Sequence, residues 1–237
     1  MLDKDYFYFR QFKIKQSKSA FKVGFDGILL GAWADFTGAN NILDIGTGTG
    51  LLALMATQKN LKANIFAIEP DVPSFKEAEE NFAYSPWDQR LKIFNQSLQN
   101  FTGKNAISFD HIISNPPYFI KSKLPAKNEY ISTKHTYSLS HEELALNASK
   151  LLNDSGKLSI ILPNIEGELF NKTAFKYNLY LSRLTNVITK SKTERLVLEL
   201  RKNTVINTIK NELIIYHKDG KYTAEYIDFV KDFYLWA

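Results

Sequence analysis

Residues 41–163 alternate in a regular rhythm between short apolar runs and amphipathic stretches. "NILDIG", "ANIFAIEP", "LKIFNQS", "FDHIISNPP" and "KLSIILP" read as strands. "GLLALMATQKN", "VPSFKEAEENFAYS" and "SHEELALNASKLLNDSG" read as helices. The last of these has Ser140 as N-cap, Glu143 completing a capping box, and a stop near Gly156. Largely apolar strands that alternate with helices predict an α/β fold, a mostly parallel sheet of seven strands with helices on both faces.

The flanks differ. "EGELFNKTAFKYN" reads as a helix, but "LYLSRLTNVIT" and "ERLVLELRK" follow as two strands with no helix between them. That predicts an antiparallel strand at one end of the sheet. "ELIIYHKDGKYT" reads as a hairpin tipped by Asp219-Gly220, and "AEYIDFVKDFYLW" as a closing helix. Upstream, "YFYFRQFKI" (6–14) reads as one strand, half of a hairpin. "GFDGILLGAWADF" (24–36) reads as a helix with Asp26 as N-cap and Ile28, Leu29, Ala32 and Trp33 on or near one face. The expected organisation is one domain over 1–237: a hairpin-and-helix extension (1–40) and a core (41–237).

Composition narrows the classes. With 237 residues, 44% hydrophobic and 23% charged, the chain is globular rather than disordered. It has no 18-residue apolar run, and "MLDKDYFYFRQFKIKQ" lacks a signal-peptide pattern, so a cytoplasmic protein is expected. There is no cysteine, which excludes disulfides, thiolate metal sites and a cysteine nucleophile. His111, His135, His141 and His217 have no metal-ligand spacing, so no metal is expected. The net charge of +5 is unevenly spread. Residues 1–24 hold six basic residues against Asp3 and Asp5, and 121–134 hold four lysines against Glu129. These are either solvated surfaces or phosphate-contacting ones.

Two motifs carry chemistry. "LDIGTGTGLLAL" (43–54) places Gly46, Gly48 and Gly50 between a strand and a helix, allowing a tight turn and close approach of backbone to a ligand. The spacing is G-x-G-x-G, not the G-x-G-x-x-G of dinucleotide binders. Asp44 before the turn suits a cationic amino-acid group better than a pyrophosphate. Glu69, 23 residues after Gly46, ends the next strand, where a carboxylate accepts ribose hydroxyls.

The second motif is "SNPPYF" (114–119), straight after a strand. Pro116 and Pro117 fix φ and hold Asn115 away from the helical region. The tip therefore offers two rigid acceptors, the Asn115 amide oxygen and the Pro116 carbonyl, beside the Tyr118 ring. An exocyclic amine or carboxamide nitrogen has a delocalised lone pair. Two acceptors on its N–H bonds favour the tetrahedral, charge-developing nitrogen that attacks a methyl group. Tyr118 would stack on a planar substrate. The motif alone leaves a nucleobase and an amide equally open.

The glycine turn, Asp44 and Glu69 together resemble the S-adenosylmethionine (SAM) site of class I methyltransferases. The resemblance implies that Asp44, Gly46, Thr47, Gly48 and Gly50 hold the methionine half and Glu69 the ribose. Asn95, Gln96 and Ser97 would flank the adenine, although Ser97 stands where the family often has Asp. "SNPPYF" resembles the Asn-Pro-Pro-Tyr motif of amino-methyltransferases. "FKVGFDGILLGAW" (21–33), "KHTYSLSHEEL" (134–144) and "YTAEYIDFVKDFYLW" (222–236) extend the likeness nearly end to end, to the bacterial tRNA1(Val) (adenine(37)-N6)-methyltransferase family. This implies catalytic roles for Asn115, Pro116, Pro117 and Tyr118, and cofactor contacts from Lys22, Gly24, Asp26 and Gly27. Lys121, Lys123, Lys127 and Lys134 become candidate tRNA contacts. Lys134-His135 stands where family members commonly have Arg-His, which keeps the charge but loses the bidentate fork. SAM is the implied cofactor, tRNA the implied partner, and a monomer the expected state. The rivals are a protein-glutamine N5-methyltransferase, a DNA adenine methyltransferase and a non-catalytic RNA-binding module.

Overall fold

The computed structural model describes residues 3–19, 22–104, 107–117, 139–189, 192–205 and 207–237. An eight-stranded sheet forms its centre. In chain order its strands are β3 (Asn41–Ile45), β4 (Asn64–Ile68), β5 (Leu91–Phe94), β6 (Phe109–Ser114), β7 (Leu152–Pro163), β8 (Leu179–Thr189), β9 (Lys192–Lys202) and β10 (Ile209–Ile214). The order across the sheet is β10-β8-β9-β7-β6-β3-β4-β5.

The strand sequences dictate two covered faces. Ile42, Ile65, Ala67, Ile113, Ile161 and Val197 enter one core, while Leu43, Phe66, Ile68, Ile112, Ile160 and Leu198 enter the other. This is the period-two alternation of a strand buried on both sides. The first core is covered by α1 (Phe25–Trp33), α2 (Leu51–Lys59) and α7 (Ala224–Val230). The second is covered by α4 (Leu98–Lys104), α5 (His141–Leu151) and α6 (Asn164–Phe175). The remaining helix, α3 (Val72–Ala83), sits beside β2 (Lys13–Lys15), which pairs antiparallel with β1 (Tyr6–Tyr8). Among the described residues no helix is long and apolar enough to cross a membrane.

Several expectations need correction. The sheet has eight strands, not seven. The antiparallel strand, β9, lies inside the sheet rather than at its end, because β8 pairs along its far side, and β10 then adds beyond β8 in parallel. The expected closing hairpin is reduced to one bridge, Tyr216 to Tyr222. Residues 6–15 form both arms of a hairpin rather than one arm, with Phe9 N–H donating to Phe12 O at 2.8 Å across the turn. The helix read over 140–156 ends at Leu151, and β7 starts at Leu152, which pairs with Phe109. Its start is as expected: Ser140 and Glu143 form the full capping box. The short α4 is not predicted by the pattern of apolar residues.

The strand order reverses direction at β3, and this places the crevice. β3 leads to β4 on one side, while its other neighbour is β6. Such a reversal opens a crevice at the carboxyl ends of the two central strands. The glycine turn leaves β3 there, and Asn115 leaves β6.

Candidate active site

Gly46, Gly48 and Gly50 have φ of +70°, +57° and +88°, the left-handed region that glycine reaches without strain. The turn is tied down at its base, where Gly46 N–H and Thr47 N–H both donate to Ile68 O at 3.0 and 3.1 Å. The glycines then divide in role. A Cβ on Gly50 would lie 2.5 Å from the Phe82 ring, so Gly50 serves packing. A Cβ on Gly46 or Gly48 would meet nothing within 4 Å, so open space faces the backbone there.

Asp44 lies fully buried beneath the turn. Its Oδ2 accepts from the Thr47 hydroxyl and, at 3.1 Å, from Ala53 N–H in α2. Its Oδ1 has no hydrogen-bond partner among the described residues. Burial pushes this carboxyl up to about 7, against the lowering effect of its two donors and with a further push from Glu69. A buried carboxylate with one unmatched oxygen is suited to a cationic donor from outside the chain.

Glu69, also buried, closes the other side of the turn. Its Oε2 accepts from Gly48 N–H and its Oε1 from Asp71 N–H, both at 2.9 Å. Burial raises its pKa, more than those two bonds lower it. Each oxygen keeps one lone pair for a hydroxyl donor. Asn95 donates to Glu69 O at 2.8 Å and so braces the end of β4. Ser97 immediately precedes α4, and its hydroxyl oxygen accepts from Asn100 N–H at 3.3 Å.

The N-terminal extension is clamped beside this turn. Glu77 of α3 accepts from Ser17 N–H, Lys18 N–H and Ser19 N–H at 2.7–2.9 Å, and from the Ser17 hydroxyl at 3.0 Å. Asn81, one helical turn on, accepts from Lys15 N–H and donates to Lys15 O and to Thr49 O in the glycine turn. Glu77 and Asn81 were not anticipated; the signal was two polar residues at i and i+4 on the face α3 buries. The chain then passes exposed Lys22 and enters α1 at Gly24, its N-cap. Asp26 is not the cap: it lies in the first turn, paired with Arg195 of β9 at 2.8 Å. Gly27 is where three parts meet. A Cβ there would lie 2.8 Å from Leu51 Cδ2, at the head of α2, and 3.8 Å from Asn115 Nδ2.

Asn115 and Pro116 follow β6, whose last residue is anchored by Ser114 Oγ donating to Ile45 O at 2.9 Å. That bond locks the carboxyl ends of β6 and β3 together. Asn115 is half-buried, Pro116 buried and Pro117 exposed. Tyr118, Lys121, Lys123, Lys127 and Lys134 lie outside the described residues. The structure thus gathers Asp44, the glycine turn, Glu69, Gly27 and Asn115 at one crevice. Among the described residues, no cluster of His, Asp and Glu is placed to hold a metal ion.

Comparison with known proteins agrees with this architecture. Residues 28–169 match the family model described as "Methyltransferase small domain". A solved structure of a predicted O-methyltransferase from Agrobacterium tumefaciens superposes with a TM-score of 0.67, covering 88% of this chain and 96% of that one at 16% identity, a likeness of fold. A tRNA1(Val) (adenine(37)-N6)-methyltransferase from Trichodesmium erythraeum is 43% identical over 97% of both chains. One of the same name from Phocaeicola vulgatus is 42% identical over 97% of both chains. With end-to-end likeness at that level, on a crevice built this way, the chain belongs to the tRNA1(Val) (adenine(37)-N6)-methyltransferase family.

Proposed function

We propose that this protein transfers a methyl group from S-adenosylmethionine to the exocyclic N6 of adenine 37 in tRNA1(Val). The observation that carries the reading is the likeness, over nearly the whole chain, to relatives bearing that name. The residues present fit the cofactor. Asp44 Oδ1, buried and unmatched, is the acceptor for a cationic amino group. Gly46 and Gly48 leave room for the ligand against the backbone. Glu69 retains acceptor capacity for ribose hydroxyls. Gly24, Asp26 and Gly27 line the entrance, held by the Arg195 pair, with Lys22 exposed just ahead of them. Ser97 takes a lesser part, since its oxygen already caps α4.

S-adenosylmethionine supplies an electrophilic methyl group on a sulfonium. The chain's own contribution is to orient the nucleophile. Asn115 Oδ1 and the Pro116 carbonyl accept the two N6–H bonds and stabilise positive charge as it develops on nitrogen. Their fixed backbone supplies orientation in advance. Tyr118 stacks on the base. No strong base is needed, because the alkylated nitrogen loses its proton readily to water. Adenine in a single-stranded loop is turned out of its stack at modest cost. Lys121, Lys123, Lys127 and Lys134 contact phosphates, so binding weakens steeply with salt.

The test is methylation of tRNA from a strain lacking the protein, with labelled S-adenosylmethionine, followed by mapping of the labelled nucleotide. N6-methyladenosine at position 37 is expected. Label at another nucleotide, or no transfer to tRNA while a release factor supplied in a parallel reaction is labelled, overturns the reading.

A further inference from the structure

Three aromatic side chains form an open stack at the carboxyl end of β10. The Tyr216 and Tyr222 rings lie 5.0 Å apart at 24°, and Tyr222 and Trp236 lie 5.0 Å apart at 11°. The local fold explains the alignment. Tyr216 and Tyr222 sit opposite each other across an antiparallel bridge, which points both side chains to one face. The turn between them is closed by His217 N–H donating to Lys221 O at 2.8 Å, and Gly220 takes the φ of +83° it requires. Trp236 is brought in by the chain's last segment. Arg10, in the turn between β1 and β2, holds that segment through Nε donating to Tyr234 O at 2.8 Å and N–H donating to Phe233 O at 2.9 Å.

Hydrophobic packing does not account for the stack. Tyr226, beneath it, is 1% exposed and belongs to the core, whereas Tyr216, Tyr222 and Trp236 are 38%, 37% and 51% exposed. Tyr222 also rests on Tyr226, and Trp236 on Tyr234 at 4.7 Å and 33°, so the surface open to a ligand is the part of the Tyr216 and Trp236 rings left exposed at the ends of the stack. Lys218 and Lys221 are exposed in the same turn, Lys221 in a solvent-exposed pair with Asp219 at 3.6 Å that a phosphate can replace.

The stack lies on the same edge of the sheet as the crevice. β10 runs parallel to β8, β8 and β7 both oppose β9, and β7 runs parallel to β6. The carboxyl ends of β10 and β6 therefore point the same way, four strand spacings or about 19 Å apart. A line of contacts spans the gap. Tyr222 meets Tyr226, Tyr226 meets Phe25 at 5.8 Å, and Phe25 begins the helix whose Gly27 adjoins Asn115.

We propose that Tyr216 and Trp236 form a stacking platform for bases of single-stranded RNA flanking the methylated adenine, with Lys218 and Lys221 on the adjoining phosphates. This rests on the proposed function. Near-parallel exposed rings beside cations are the combination that binds single strands through base stacking and backbone charge. A platform a few nucleotides from the crevice would hold the loop open while one base is turned toward Asn115.

The experiment uses an anticodon stem-loop RNA with 2-aminopurine, whose fluorescence is quenched by stacking, placed next to the target adenine. It compares wild type with Tyr216→Leu, Trp236→Leu and Tyr216→Phe. The leucine variants keep apolar volume without a ring, and melting temperature and S-adenosylmethionine affinity serve as controls for folding. Quenching by wild type and by Tyr216→Phe is expected. Each leucine variant should lose it and bind the RNA roughly 5- to 100-fold more weakly, with both controls unmoved. Leucine variants that quench and bind as wild type overturn the platform while the proposed function stands. A wild type that methylates no tRNA overturns the proposed function, and the platform with it.

Discussion

Arg195 Nε donates to Asp26 Oδ2 at 2.8 Å, joining residues 169 positions apart in sequence. The bond fixes the first turn of α1 to the start of β9, and so fixes Gly27 beside Asn115. Both side chains are partly screened from solvent, at 30% and 18% exposure, so the pair is stronger than a surface one but not a fully buried one. A double-mutant cycle with Asp26→Asn and Arg195→Met should give a coupling of about 0.5–1 kcal/mol in denaturant unfolding. Each single variant should also bind S-adenosylmethionine several-fold more weakly. Additive stability effects would show that the contact has no energetic weight.

That pair also marks the limit of what the sequence could say. Asp26 looked like an N-cap because it stands before an apolar helix; its partner on β9 leaves no local trace. Elements whose identity rests on local pattern were readable. Ile42 and Leu43, or Ile112 and Ile113, announce a strand buried on both faces, and Ser140 with Glu143 announces a helix start. Gly46, Gly48 and Gly50 with Asp44 and Glu69 announced the crevice, because a ligand turn needs those residue types in that order. Elements decided by tertiary pairing were not readable. α4 has only Leu98 and Phe101 buried, too little periodicity for a helix to stand out. β7 begins at Leu152 because Phe109 is there to pair with it. The place of β9 inside the sheet depends on β7 pairing on its other side, and nothing near β9 encodes that.

Glu77 is the anchor of the N-terminal extension. Burial alone would raise its carboxyl pKa, but the donors from Ser17, Lys18 and Ser19 outweigh burial and hold it below the ordinary range. A depressed folded-state pKa stabilises the fold above the unfolded value of about 4.3, and that contribution is lost as pH falls through the folded value. Glu77→Gln keeps one acceptor and loses the charge. It should lose about 1–3 kcal/mol at pH 7 and show a shallower acid-side decline than wild type. Denaturant titrations between pH 3 and 7 measure both. Equal stability at pH 7 would count against the clamp.

Asn115 tests the chemistry separately from binding. Its amide adjoins Gly27 and follows the Ser114–Ile45 lock, whereas Asp44 and Glu69 lie around the glycine turn. Asn115→Ala should therefore reduce kcat on tRNA by about 100- to 1000-fold, the range for removal of one preorganised charge-stabilising group. S-adenosylmethionine affinity, read by calorimetry, should stay within a few-fold of wild type. A variant that loses the cofactor and the activity together would place Asn115 in the binding site instead.

Asp44 links cofactor binding to pH. With its carboxyl near 7 in the cofactor-free protein, about half the molecules at neutral pH carry a neutral Asp44. A cationic amino group requires the ionised form, so S-adenosylmethionine affinity should fall up to about ten-fold per unit as pH drops below 7, with proton release on binding. The raised pKa has the opposite effect on the cofactor-free fold. A carboxyl raised on folding contributes stability below its unfolded value of about 3.9, and that contribution is lost as pH rises through 7. Cofactor-free wild type should thus lose thermal stability between about pH 4 and pH 7, while Asp44→Asn should show a flatter profile and bind no cofactor measurably. Calorimetry in buffers of different ionisation enthalpy at pH 6 reads the released proton directly. Binding without proton release, or a flat pH profile of affinity, would separate Asp44 from the amino group.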